Sequence, residues 1–301
     1  MSALNNKIDF ALVFTVRNAN PNGDPVNGGG PRITYTGFGE VSDVCLKRKI
    51  RNRWMDEGLS VFVQSDDRRT DSCHSLKERA ESCPELKEFF KVKKGKNDKD
   101  DEDDGQTKSE KITAIACEKW LDVRAFGQVF PFSGETGKSD GVSIGIRGPV
   151  SIQSAFSLTP VNITELNITK SVNLETDKNN PDKKGSDTMG SKRRVDFGVY
   201  TTYGSINVQT AEKTGFSADD AEALKEALRT LFRNDVAAAR PEGSMEVCKL
   251  VWWEHNCKSG QFSAAKVHRS MKVTVGDDGF PQVGIDESAI PGLKYTVIDG
   301  E

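Results

Sequence analysis

The apolar positions of this chain gather in a few dense runs separated by long polar stretches. Residues 8–17 hold Phe10, Leu12, Val13, Phe14 and Val16, an aromatic and β-branched density that predicts a buried strand. The N-A-N-P-N-G-D-P-V-N-G-G-G-P that follows is built from turn formers and predicts a loop. Ser42 stands as the N-cap of a helix reaching about Asp56 and stopped by Gly58. Leu46, Ile50 and Trp54 recur one helical turn apart and define its inward face, with Lys47, Arg48 and Arg51 projecting together from an adjacent one. Residues 59–63 read as a short strand. From 66 to 109 the chain turns polar, an insertion expected to be partly mobile. A helix over 109–121 then carries Ile112, Ile115, Ala116 and Trp120 on one side.

Strand character returns over 142–158, interrupted by Gly145 and Gly148. Residues 163–168 and 195–208 are strand-like flanks of a second polar stretch, 170–194, so a long hairpin leaving a sheet and returning to it is expected. Ser217 and Asp220 have the spacing of a capping box, opening a helix with Ala221, Leu224, Leu228, Leu231 and Phe232 on its apolar face. Strands over 247–253 and 270–275 close the order. This is an α+β pattern compatible with a ferredoxin-like β-α-β-β-α-β core carrying large insertions, the layout of the RNA-recognition fold. Residues 1–301 read as one such domain.

Composition narrows the class. No apolar run approaches the roughly 20 residues of a membrane span. The opening M-S-A-L-N-N-K has neither the basic nor the apolar region of a secretory signal, so a cytoplasmic protein without a membrane partner is expected. The six cysteines form no C-x-x-C pair and are expected as free thiols. Neither Cys73 with His74 nor His255 with Cys257 and His268 matches a zinc spacing, and no cofactor is expected. The net charge of −3 speaks against nucleic acid only until the acidic run at 98–104 is set aside; the remainder is mildly basic, and binding follows local charge.

Catalytic signatures are weak. G-E-T-G-K-S at 134–139 lacks the first glycine of a phosphate-binding loop, Phe132 standing in its place, and no helix pattern follows it. The three histidines are scattered, and no nucleophile motif is present. Asp24, in N-P-N-G-D-P, is the one acid at a suggestive place, and ordinary turn chemistry accounts for it. Basic residues instead cluster in three places: Lys47, Arg48 and Arg51; Arg147 in G-I-R-G-P; and Lys183, Lys184, Lys192, Arg193 and Arg194 in the expected hairpin. Dispersed cations suit phosphate contacts along a backbone path, and glycines such as Gly145 and Gly148 permit close approach of a nucleic-acid backbone.

Three segments together resemble the Cas seven group of CRISPR-associated backbone subunits, in the RAMP superfamily: R-N-A-N-P-N-G-D-P from Arg17, S-D-V-C-L-K-R-K-I-R from Ser42, and I-R-G-P-V-S-I-Q-S-A-F from Ile146. The likeness is nearest to subtype I-C of the type I Cascade complexes. It implies a palm with an RNA-recognition core, fingers from 66–109 and a thumb hairpin from 170–194. It also implies copies stacked head to tail along a CRISPR RNA beside other Cascade subunits, with the guide's bases left free to pair with a target DNA strand. Implied RNA contacts are Arg17, Asn18, Asn20, Asn22, Lys47, Arg48, Arg51, Arg147, Gln153, Lys170, Lys192, Arg193 and Arg194, with Met189 as an apolar wedge between bases. The resemblance implies no catalysis, since a recruited helicase-nuclease cuts the target in type I systems. The alternative is a metal-dependent endoribonuclease using Asp24, because type III relatives place a catalytic acid in the loop after the first strand.

Overall fold

The computed structural model describes residues 2–90, 108–131, 143–169, 171–172, 189–276 and 279–301. β1 (Ile8–Ala19) is buried from Ile8 through Val16, so its alternating side chains require an apolar layer on each face. It leads into a small ribbon, β2 (Gly23–Asp24) and β3 (Gly30–Pro31), closed by a 3-10 turn at Pro25–Asn27. Then come β4 (Phe38–Val41) and α1 (Asp43–Asp56). The Ser42 hydroxyl accepts the Cys45 N–H at 3.3 Å, and Gly58 at φ 77° turns the chain out of the helix.

A helical lobe follows, made of α2 (Leu76–Ser82), α3 (Pro84–Phe90), α4 (Lys108–Lys119), α5 (Leu121–Phe126) and a hairpin of β5 (Gly127–Pro131) and β6 (Ser143–Arg147). β7 (Val150–Ile152), β8 (Ala155–Pro160), β9 (Ile163–Thr169) and β10 (Met189–Ile206) return to the main sheet. α6 (Val208–Thr214) and α7 (Ala218–Arg229) precede β11 (Met245–Glu254). α8 (Ala264–Ser270), a hairpin of β12 (Met271–Val275) and β13 (Pro281–Ile285), and β14 (Lys294–Asp299) complete the chain.

The main sheet is antiparallel, in the order β14-β11-β1-β10-β8-β4. β10 gives one edge to β1, from Ile8 opposite Ile206 to Ala19 opposite Val195. Its other edge meets three partners in turn: β9 along Met189–Val195, β8 at Tyr200 and Thr201, and β7 along Gly204–Ile206. Phe10, Leu12, Phe14 and Val16 share a core with Leu46, Ile50 and Trp54 of α1, Ala221, Leu224 and Leu228 of α7, and Trp252. On the opposite face Ala11, Val13, Val251 and Trp253 meet Val267 of α8, Met271, Ile290 and Leu293. A third core, including Phe62, Leu86, Ile112, Ala116, Trp120, Phe130 and Ile146, fills the lobe. The architecture is thus an α+β fold around one large antiparallel sheet. Among the described residues no helix is long and apolar enough to cross a membrane.

The α7 capping box forms as its spacing predicts: Ser217 Oγ accepts the Asp220 N–H at 3.1 Å and Asp220 Oδ2 accepts the Ser217 N–H at 2.8 Å. The strand expected at 59–63 does not form. The Phe62 and Val63 N–H groups donate to the Asp122 carboxylate at 2.6 and 3.0 Å, and the Phe62 carbonyl accepts from Arg79 at 2.9 Å, so side chains do here what a neighbouring strand would do. The strand expected over 142–158 is three separate ones. Gly148 marks one break, where a Cβ would fall 2.2 Å from the Ala125 carbonyl oxygen. That glycine therefore serves close packing within the chain, whereas the space beside Gly145 is open. Within the polar stretch 66–109, α2 sends Ala80, α3 sends Leu86 and the joint between them sends Cys83 into the lobe's core.

Candidate nucleic-acid interface

The end of β1 lies beside Val195–Phe197 of β10, where β10 leaves the β9 hairpin, and this brings several of the expected residues together. Arg17 stands opposite Phe197 and lays its guanidinium over that ring, 4.8 Å from the centroid. Asn18 is exposed and left-handed at φ 53°, a conformation asparagine tolerates, and the ladder skips there between Arg17–Phe197 and Ala19–Val195. Across β10, Arg193 pairs with Glu165 at 3.1 Å and reaches the Asn27 carbonyl at 3.4 Å, clamping the ribbon to the hairpin. Lys192 donates to the Ala238 carbonyl at 2.6 Å. Arg194 keeps a buried Nε without a partner. Met189 is 72% exposed at the first residue of β10, opposite Thr169. Lys170, Lys183, Lys184 and the 134–139 glycine-rich loop lie outside the described residues.

Other expected contacts have internal duties. Asn20 is only 7% exposed and donates to the Gly29 carbonyl at 2.8 Å. Asn22 Oδ1 accepts both the Ser42 N–H and its hydroxyl at 2.9 Å, fastening the loop to the start of α1. Asp24 Oδ1 accepts the Val26 N–H at 3.1 Å and lies 3.6 Å from Arg32, so it caps the 3-10 turn.

On α1 the three cations do not project as one free patch. Lys47 pairs with Asp43 at 3.0 Å. Arg48 donates to the Val63 carbonyl at 2.6 Å; burial, then the neighbouring Arg51 charge, pulls its pKa down. Arg51 Nε donates to the fully buried Asp122 at 2.8 Å. These arginines hold the lobe against α1. Arg147 is exposed, but on the β5–β6 hairpin and not on the main sheet. Gln153 exposes its side chain while its backbone bonds Tyr203 and Thr202.

On α1, one buried cation that the sequence reading passed over lies near this region. Lys49 is buried on Asp235, which also accepts from Arg240 Nε at 3.0 Å, and burial lowers the Lys49 pKa. The signal was available: Leu46, Lys49, Ile50, Arg53 and Trp54 form one buried stripe at helical spacing. At the opposite end of β1, His255, weighed above as a metal ligand, is buried with Nε2 2.8 Å from Asp9 Oδ2 and Nδ1 accepting the Gln261 N–H at 2.8 Å. That acceptor role places the ring proton on Nε2.

Comparison with known proteins adds the lineage. The family described as CRISPR-associated protein Cas7 matches residues 6–288. A CRISPR-associated protein Cas7 from Haloferax volcanii is 26% identical over 229 residues, covering 73% of this chain and 62% of that protein, less than two-thirds of the relative's own length. Among solved structures, a chain of a CRISPR RNA-guided surveillance complex, pre-nicking, aligns with a TM-score of 0.46 at 14% identity, over 82% of this chain and 75% of its own. A chain of a second CRISPR RNA-guided surveillance complex aligns at 0.42 and 15%, over 82% and 68%. With a family match that runs from the start of β1 past β13, the chain belongs to the CRISPR-associated protein Cas7 family.

Proposed function

We propose that the chain is a non-catalytic RNA-binding backbone subunit of a type I Cascade complex, of subtype I-C, acting in the cytoplasm. The observation that carries this reading is the family match over residues 6–288, which spans all three motif segments. In this reading β1, α1, β8, β10, α7 and β11 are a β-α-β-β-α-β core of ferredoxin type, and the sheet order β11-β1-β10-β8 supports it. The lobe serves as fingers and the β9–β10 hairpin as the thumb. Copies polymerise along the CRISPR RNA beside other Cascade subunits, gripping phosphate and ribose so that the bases remain free for a target DNA strand. Arg17, Asn18 and the cations of the hairpin root are the favoured contacts; Arg48 and Arg51 act on RNA only through the lobe they hold. The engagement of Asp24 with Val26 and Arg32 supports a turn role and hence no catalysis.

Co-expression with a CRISPR transcript tests the reading. The protein is expected to co-purify with RNA of one length and to leave complementary RNA intact in Mg²⁺. Regular cleavage that disappears in Asp24→Ala would establish the endoribonuclease alternative, and purification free of RNA would refute both.

A further inference from the structure

The turn between β3 and β4 displays a side chain that the fold itself does not use. Tyr35 is 105% exposed, although aromatic side chains ordinarily find burial. The turn beneath it is rigid. The Gly37 N–H donates to the Thr34 carbonyl at 3.0 Å, the Thr34 N–H to the Phe38 carbonyl at 2.7 Å, and the Phe38 N–H to Thr34 Oγ1 at 3.1 Å. Gly37 holds φ 84°, which a residue with a side chain rarely adopts. Its carbonyl accepts the Val161 N–H at 3.0 Å, which ties the turn to the chain two residues before β9. The ring therefore stands at the root of the hairpin whose other arm carries Lys192, Arg193 and Arg194. Arg32, on the same loop, is one-third exposed with its Nε unpartnered.

An exposed ring on a fixed post suits either the face of a nucleobase or a pocket on another protein. The surroundings favour the base. Thr34 and Thr36 flank the ring with hydroxyls, and on that loop only Ile33, 45% exposed, adds apolar surface; a protein interface is organised around a contiguous apolar centre. An aromatic platform beside a cationic track is how proteins hold single-stranded nucleic acid without reading its sequence, since every base has a π-face. We infer that Tyr35 is a stacking platform for one base of the bound single-stranded RNA, an inference that rests on the RNA-binding reading above.

The test uses the full chain and fluorescein-labelled oligoadenylate and oligouridylate. Tyr35→Ala is expected to weaken binding to both by about ten-fold, more for the purine strand, while Tyr35→Trp retains it. Its salt dependence should match the wild type, because stacking displaces no counterions, whereas Arg193→Ala should flatten it. Unchanged melting of Tyr35→Ala would show that the fold is intact. RNA binding by Tyr35→Ala at wild-type strength overturns the inference and leaves the RNA-binding reading standing. So does a variant that binds RNA normally but loses self-association in sedimentation, which would make Tyr35 a protein contact. A wild-type chain that binds neither strand overturns both.

Discussion

At the scale of single residues, Gly39 and Tyr200 form a contact that is both tight and unfinished. A Cβ on Gly39 would fall 2.0 Å from the Tyr200 hydroxyl and 2.7 Å from the ring carbon bearing it. That hydroxyl is buried without a hydrogen-bond partner, and burial pushes its pKa far above the ordinary phenol value. A buried polar group with no partner bears its desolvation cost without return. Tyr200→Phe is therefore expected to be neutral or to stabilise by up to about 1 kcal/mol. Gly39→Ala should destabilise by roughly 1–3 kcal/mol through overpacking, and the double variant should recover part of that loss. Urea denaturation midpoints of the three variants check the set.

At the scale of elements, α1 is a bracket between two cores. Its apolar stripe enters the main core while Arg48 and Arg51 reach the 59–63 segment and Asp122 of α5. Arg51→Ala leaves Asp122 with a buried charge and two backbone donors, and is expected to cost about 3–5 kcal/mol; Lys47→Ala, losing a partly exposed pair, should cost under about 1 kcal/mol. Thermal unfolding that ranks the two equally would contradict the bracket. The helix itself was legible in the sequence because caps and periodicity are local signals. Its basic face was misread because the partner of Arg51 lies far along the chain, and no local pattern points to Asp122. The same holds for 59–63, whose β-like composition was outweighed by a carboxylate brought in from α5. In the candidate site, N-P-N-G-D-P was readable as a loop. That Asn20 and Asn22 serve the loop itself depends on its path to Gly29 and Ser42, which only the fold determines.

At the scale of the whole molecule, the α+β class was legible because β1, α1, the hairpin flanks, α7 and β11 each carry strong local patterns. The layer over the second sheet face was not, since α8 and β13 are short; nor was β14, the short edge strand of the main sheet. The chain leading into α8 is fastened to the sheet through a largely buried triad in which Asp9 accepts from Lys7 at 2.7 Å and from His255 at 2.8 Å, while His255 Nδ1 accepts the Gln261 N–H. Burial alone would raise the Asp9 pKa, but the bonds from His255 and Lys7 outweigh it and hold the pKa below the usual value. A depressed carboxylate pKa contributes stability that is present above about pH 4 and lost as the pH falls through the folded-state value. Asp9→Asn should accordingly flatten the acid limb of a stability-against-pH curve, measured by urea unfolding at stepped pH. A mechanical consequence follows from the length of β10. One strand of 18 residues runs from the β9 hairpin through its root at Val195 and along the whole of β1, with a skipped rung beside Asn18. The hairpin is thus a lever whose fulcrum is that rung. Traction along it reaches the β1 ladder as shear, where the hydrogen bonds share the load together and do not peel apart one by one.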